Sequence, residues 1–461
     1  MKKISSTLLC FALFSHCLAQ PQQKPNIIIV LADDLGYGDL GCYGQKLIPT
    51  PNLDRMAAEG TRFTNFYSGS TVCAPSRCSL MTGINTGRGY IRGNKETPLR
   101  DTDATIPKVA KQKGYTTGMF GKWGLGLANN SGSPEKQGWD YFLGYLSHRS
   151  AHNFYVKNLW EIRDGKTLPH AMDTTQNTAP YIFNAALEFI KKNKAQPFLL
   201  YLPATLPHAE MTIPTKESIE PFLTPQGKSI FPEAPFVKGT GMSTSYSSQS
   251  MPNASTAAMI RQVDLDMGKL MVLLKELRLD KNTYVFFTSD NGPHQEGGRN
   301  AKQFESTAGL RGFKRDLYEG GIRVPSIAWG ANVQRKVSDE PLANWDFLPT
   351  VAEIVGANAP NQINGVSFLD VLQKTKHPTK HESLYWEFHE RGFDQAIRKG
   401  NWKAVRRSSN NSKLELYDLS KDYSENNDVA QQNPAVVKEM EMLFARERSE
   451  SVDYPVRNKT Q

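Results

Sequence analysis

Four short apolar runs constrain this chain more than any other feature of it. Asn26 to Ala32 is rich in β-branched residues, and Thr116 to Phe120, Phe198 to Leu202 and Tyr284 to Thr288 follow at intervals filled by helical patterns. Between the last two, Ile260, Val263, Met267, Leu270, Leu274 and Leu277 fall on one helical face, the spacing of a core-facing stripe. Strands alternating with helices bury both faces of a parallel sheet, because each crossover helix lies across it. The predicted fold class is α/β, a large mostly parallel sheet flanked by helices. With 39% hydrophobic and 22% charged residues, the 461-residue chain can fill that core and a smaller one.

The texture changes after a helix predicted around Ala343 to Ala357 and closed by Asn358-Ala359-Pro360-Asn361. Leu384 to Glu387, Gln395 to Lys399, Trp402 to Arg406 and Leu414 to Asp418 read as short antiparallel strands, and a charged helix follows from about Pro434 to Glu447. The predicted organisation is a leader over 1–19, a large catalytic domain over 20–357 and a smaller C-terminal α+β unit over 358–461. Pro207 to Ser255, rich in Pro, Gly, Ser and Thr, is predicted as a long, partly irregular loop.

The leader reads as an export signal. Lys2 and Lys3 precede the apolar run Leu8 to Phe14, and Cys17-Leu18-Ala19 supplies a small residue for cleavage. The mature chain is expected in the periplasm or outside the cell, with no stable membrane insertion. Cys42, Cys73 and Cys78 remain after cleavage, and an odd count argues against a complete disulfide framework. One thiol is left to explain, by chemistry or as a buried free cysteine. The formal net charge of +9 suits a polyanionic substrate as readily as a generic basic surface; no nucleic-acid partner is expected.

In open α/β sheets ligands bind beyond the carboxyl ends of the strands. The first run enters Asp33-Asp34, the second Gly121-Lys122-Trp123, the third Leu206-Pro207-His208 and the fourth Ser289-Asp290-Asn291-Gly292. One sheet edge thus gathers carboxylates, a lysine, a histidine and an Asp-Asn pair. Asp33, Asp34, Asp290 and Asn291 offer only oxygen, which suits a hard cation such as Ca²⁺ or Mg²⁺ rather than zinc.

The segment Cys73-Ala-Pro-Ser-Arg-Cys-Ser-Leu-Met-Thr-Gly83 resembles the signature of the formylglycine-dependent sulfatases, an arylsulfatase-like branch of the alkaline phosphatase superfamily. The resemblance continues through Asn26 to Gly38, Pro51 to Phe66, Gly121 to Leu125, Ser289 to Pro293 and Gly309 to Pro325. It implies that Cys73 is oxidised to 3-oxoalanine (formylglycine) by a formylglycine-generating or anaerobic sulfatase-maturating enzyme. It further implies that the hydrated aldehyde attacks sulfur, and that sulfate leaves a sulfo-enzyme intermediate by elimination. By the same resemblance Asp33, Asp34, Asp290 and Asn291 bind one Ca²⁺, and Arg77 pairs with residue 73 and the metal carboxylates. Lys122 and Lys314 hold the sulfate, and His208 and Lys314 assist departure of the alcohol.

One departure stands out. Where the family has Gly-Lys-Trp-His-Leu-Gly, this chain has Gly121-Lys-Trp-Gly124-Leu-Gly126. A replacement imidazole is expected from His148 or His152, with His152 favoured and predicted to point towards Cys73 and Lys122. For the substrate, Arg88, Arg92 and Asn94 follow the nucleophile segment, and Trp386, Glu387 and His389 come from the second unit. Together they suit a sulfated carbohydrate. The rivals are a phosphate or phosphonate monoester hydrolase on the same scaffold, disfavoured by Asn291 where two-zinc relatives have histidine, and a glycan-binding protein if Cys73 stays unconverted.

Overall fold

The computed structural model describes residues 24–240, 246–373, 380–411 and 413–456, so the leader predicted over 1–19 lies outside the described residues. In chain order the strands are β1 (Asn26–Ala32), β2 (Thr61–Phe63), β3 (Phe66–Tyr67), β4 (Thr116–Lys122), β5 (Tyr141–Tyr145), β6 (Asn158–Arg163), β7 (Lys166–Ala171) and β8 (Phe198–Pro203). They continue with β9 (Thr283–Ser289), β10 (Ser326–Gly330), β11 (Lys336–Ser338), β12 (Leu342–Ala343), β13 (Leu384–Phe388), β14 (Asp394–Lys399), β15 (Trp402–Arg406) and β16 (Leu414–Asp418). Ten form one sheet in the order β11-β2-β10-β9-β1-β8-β4-β5-β6-β7. Its centre, β9-β1-β8-β4-β5, is parallel, while β10 and the β6–β7 hairpin run antiparallel.

Every residue of β1 is buried, as a central parallel strand requires. Its side chains alternate between the sheet's faces. Ile28, Val30 and Ala32 join the core under the Thr178–Asn193 and Pro252–Glu276 helices. Ile27, Ile29 and Leu31 join the core under the Cys73–Thr82, Ile106–Lys111 and Phe347–Val355 helices. The predicted stripe from Ile260 to Leu274 is buried, and Leu277 caps that helix. Phe368, Val371 and Leu372, beyond residue 357, still pack in the second of these cores.

Three features extend the predicted picture. β4 runs on to Lys122, so the lysine ends the strand itself. The β6–β7 hairpin, not predicted from the sequence, turns on Asp164-Gly165, both at positive φ (53° and 71°). The stretch 207–255, expected to be largely irregular, holds a short helix at Lys216–Ile219 and the start of the long helix at Pro252.

The four-stranded sheet β13-β14-β15-β16 is antiparallel and backed by the Pro434–Arg446 helix. It is fastened to the large sheet through buried polar groups. Trp386 Nε1 donates to the Ser68 carbonyl at 2.9 Å. Lys403 Nζ lies 2.9 Å from Glu319 and 2.8 Å from Glu425, all without solvent access. Glu319 belongs to the segment that carries Lys314, so the small sheet anchors one side of the strand-end region described next. No helix among the described residues is long and apolar enough to cross a membrane.

Candidate active site

Parallel register places the strand ends level. Ala32 of β1 faces Ser289 of β9, and the ladder continues one step as the Asp290 amide donates to Ala32 O at 3.1 Å. On the other side the Asp33 amide donates to Leu206 O at 3.0 Å. Asp33, Asp34, Asp290 and His208 are therefore brought together by neighbouring strands. Asp34 sits at φ 63°, a left-handed conformation that aspartate tolerates, and its amide donates to Asp290 Oδ1 at 3.0 Å.

Cys73 opens a ten-residue helix in which every residue is buried. Its Sγ lies 3.4 Å from Asp33 Oδ1. Arg77 is one turn further along, so both side chains share a helix face. The Arg77 guanidinium donates to Asp290 Oδ2 at 3.1 and 2.8 Å and to Lys122 O at 2.8 Å, and stands 3.5 Å from Asp33. Lys122 Nζ reaches Asp33 Oδ2 at 2.7 Å. Lys314 Nζ reaches Asp34 Oδ2 at 2.7 Å and His208 Nε2 at 2.9 Å.

Charge pairing sets the protonation states. Burial alone would raise the Asp33 and Asp34 carboxyls, but Lys122 and Arg77 hold Asp33 below its usual range, and Lys314 holds Asp34 well below. Burial works against the Lys314 ammonium, yet Asp34 outweighs it and keeps the proton on Nζ. Burial and Lys314 push His208 well below the ordinary imidazole range. Its Nδ1 sits against the Ala209 carbonyl, so Nδ1 carries the hydrogen and Nε2 accepts from Lys314. Burial and Asp33 push the Cys73 thiol up, so the unmodified residue is no thiolate nucleophile. Cys42 and Cys78 are free thiols as well, each pushed up to about 12 chiefly by burial.

The oxygen groups fit a hard cation. Asn291 Nδ2 donates to Asp34 Oδ1 at 2.5 Å, which leaves Asn291 Oδ1 buried without a hydrogen-bond partner. Burial and Asp33 push Asp290 up to about 7 despite Arg77, the signature of carboxylates crowded beyond their local cations. Oxygen ligands from Asp33, Asp34, Asp290 and Asn291 match the hard-cation preference. Cys73 Sγ and a His208 nitrogen lie within 4.8 Å of the Asp33 and Asp34 oxygens, so residue 73 adjoins that position.

Both candidate imidazoles are in the site, with His148 the nearer of the two to Gly124. The Trp123 and Gly124 amides donate to Tyr145 O and Leu146 O at 2.8 and 2.9 Å, which carries His148 over Gly124. A Cβ at Gly124 would lie 3.5 Å from His148 Cβ and 4.0 Å from Arg77 Cδ. Gly124 itself has φ +77°, where any other side chain is strained. His152 instead stacks on His208, ring centroids 4.2 Å apart and 15° between planes. It is in the site, but His148 occupies the space beside Gly124 that His152 was expected to fill. Burial and Lys122 lower His148 to about 3, so its imidazole is neutral.

His294 also belongs here and was missed. Its ring centroid lies 5.6 Å from that of His208, with Nε2 3.2 Å from Pro207 O and Nδ1 accepting from the Glu296 amide. Its place three residues after Asn291, off the same strand end, was the available signal.

Arg92 and Glu387 require a correction. They were expected to grip substrate, but they form a buried ion pair at 2.9 Å between the two sheets' domains, with Arg92 2% and Glu387 0% exposed. Glu387 also hydrogen-bonds His389 Nε2 at 2.8 Å and forms an ion pair with Arg448, its Nε 3.3 Å away. Trp386 is core, and Arg88 donates to Arg446 O. Asn94 and His389 do line a cleft beside the site. Arg92→Met is expected to cost about 3 kcal/mol, because a buried carboxylate loses its nearest cation. Urea denaturation measures it; unchanged stability with a raised KM would restore the substrate role.

The sulfatase family model matches residues 25–357, and the C-terminal model of N-sulphoglucosamine sulphohydrolase matches residues 311–450. An N-acetylgalactosamine-6-O-sulfatase of Bacteroides thetaiotaomicron is 28% identical over 92% of this chain and 93% of its own. The human N-acetylgalactosamine-6-sulfatase is 32% identical over 76% of this chain, a match spanning 66% of the human enzyme's length. The crystal structure of Ps i-CgsB with k-i-k-neocarrahexaose superposes with a TM-score of 0.76 at 28% identity, covering 93% of this chain and 94% of that one. With the signature segment at the start of the buried helix and its partners gathered round it, the chain belongs to the sulfatase family.

Proposed function

We propose that this protein is an exported sulfatase that hydrolyses a sulfate ester of a saccharide. The observation that carries the reading is the setting of Cys73. It lies at the first turn of a buried helix, with Asp33 at 3.4 Å and Lys122 and Lys314 on the two adjoining carboxylates. Oxidised by a maturase to 3-oxoalanine, residue 73 would supply a hydrated aldehyde oxygen as nucleophile, and Ca²⁺ on Asp33, Asp34, Asp290 and Asn291 would offset charge on the sulfuryl oxygens.

The chain's own residues do the rest. Lys122 and Lys314 place ammonium groups where the sulfuryl oxygens gain charge. Arg77 holds Asp290 and Asp33 in place and fixes the end of β4 through Lys122 O. Lys314, protonated against Asp34, gives its Nζ proton to the departing alcohol oxygen, and His208 Nε2 holds Lys314 in line. The relatives named above act, by their names, on N-acetylgalactosamine 6-sulfate, and one neighbour holds a carrageenan oligosaccharide. That supports a sulfated sugar here.

The second proton to be moved is the one whose removal lets sulfate leave residue 73. His148, neutral and beside Gly124, is assigned that task in place of His152. His148→Ala should lower kcat about 10²-fold with KM little changed, since a positioned base contributes that much. His152→Ala should cost less, acting through the His208 ring it stacks on. Steady-state kinetics of the two variants decide the order, and a larger kcat loss at His152 would reverse the assignment. Maturation is tested separately by peptide mass. Protein co-expressed with a formylglycine-generating or anaerobic maturating enzyme should carry a residue 73 lighter by the difference between CH₂SH and CHO; an intact thiol in protein that turns over would reject the nucleophile.

A further inference from the structure

A cleft of about 520 Å³ opens between the large sheet and the C-terminal unit, within the size range of small-ligand sites. It begins beside the nucleophile helix, because the Asn94 carboxamide in its wall accepts from the Ala74 amide at 2.9 Å. His148, only 5% exposed, also lines it, and His148 Nδ1 is buried without a hydrogen-bond partner. The opposite wall is aromatic. The His389 ring lies 5.2 Å from Phe393 and 5.5 Å from Tyr454, a surface suited to the apolar face of a sugar.

Two cations stand on the catalytic side of this cleft. Lys95 is engaged, its ammonium 5.3 Å over the Tyr454 ring. Arg149 is different: it is exposed, and its guanidinium has no hydrogen bond or ion pair among the described residues. Glu390, across the cleft, is tied to the Asn94 amide at 2.8 Å. An unpaired guanidinium next to an imidazole whose Nδ1 lacks a partner and an aromatic wall points to a ligand that is a sugar and bears a negative charge.

We propose that this cleft holds the remainder of the sulfated saccharide, and that Arg149 pairs there with a second anion on it, a carboxylate or another sulfate. The planar fork of arginine fits either group with two parallel hydrogen bonds. This rests on the saccharide sulfatase reading and deepens it: the substrate is charged at a position other than the ester that is cleaved.

The test is calorimetric binding to the Cys73→Ala protein, which holds ligand without turnover. Three probes are used: N-acetylgalactosamine 6-sulfate, the 4,6-disulfate of the same sugar, and a disaccharide joining a uronic acid to N-acetylgalactosamine 6-sulfate. One of the two more highly charged probes should bind about tenfold tighter than the first, and which one identifies the second anion. Adding Arg149→Gln should erase that preference, Arg149→Lys should keep part of it, and raised salt should weaken it. Equal binding of all three probes, no binding of any, or a preference that survives Arg149→Gln overturns the assignment. Sulfate release by the unsubstituted, matured protein is read in parallel. If binding preference depends on Arg149 while no sulfate is released, the activity reading fails and the subsite stands.

Discussion

The Cys73→Ala protein is expected to release no measurable sulfate, a loss of about 10⁴-fold or more, while keeping its fold. The chemistry has no substitute nearby. Cys42 and Cys78 are free thiols, but neither is among the groups clustered with Asp33, Asp34 and His208. The fold is preserved because alanine is the best helix former and Cys73 lies in the first turn of its helix. The cost is one buried sulfur contact, about 1 kcal/mol. Cys73→Ser separates two kinds of nucleophile. A serine hydroxyl can accept the sulfuryl group but has no second hydroxyl from which to expel it, so at most one turnover is expected. Circular dichroism and thermal melting establish the fold, and ion chromatography of sulfate establishes the activity. Repeated turnover by either variant near the unsubstituted rate would contradict the account.

Removing the cation should be nearly as severe. Asp33, Asp34 and Asp290 crowd three carboxylates into a site without solvent access, and Asn291 adds a buried oxygen with no partner. A chelator should lower kcat about 10³-fold, the scale of losing a principal electrostatic contribution to the transition state. It should also lower the melting temperature, because an ion that binds only the folded chain stabilises it by mass action. Ca²⁺ should restore both readouts and Zn²⁺ should not, given the all-oxygen ligand set. Full recovery with zinc alone, or activity untouched by chelation, would contradict the cation's place.

Much of this site was legible because parallel strands deliver their carboxyl ends to one edge. Asp33, Asp34, Lys122, His208 and Asp290 each follow an apolar run, and the register of β1 with β8 and β9, and of β4 with β8, brings them together. The β13 to β16 sheet was equally plain, since its strands alternate with short turns. Most of the hidden parts share one cause: partners distant in sequence. Arg92 and Glu387 look like surface groups until their 295-residue separation closes into a buried pair. His148 and His152 are four positions apart, and only the β4–β5 pairing decides which one covers Gly124. The short 3₁₀ turn at Ser150–His152 then carries His152 away to stack on His208. The β6–β7 hairpin escaped for another reason: it is a polar edge with only part of its surface in the core.

The most direct test of the account compares sulfate and phosphate esters of the same sugars. Matured protein loaded with Ca²⁺ is incubated with 6-sulfated and 6-phosphorylated N-acetylgalactosamine and galactose, and released sulfate and phosphate are quantified. The account predicts sulfate release from at least one of the sugars, with kcat/KM above that for its phosphate counterpart, and none from the Cys73→Ala protein. Preferential release of phosphate, or equal sulfate release by protein lacking Cys73, would contradict it.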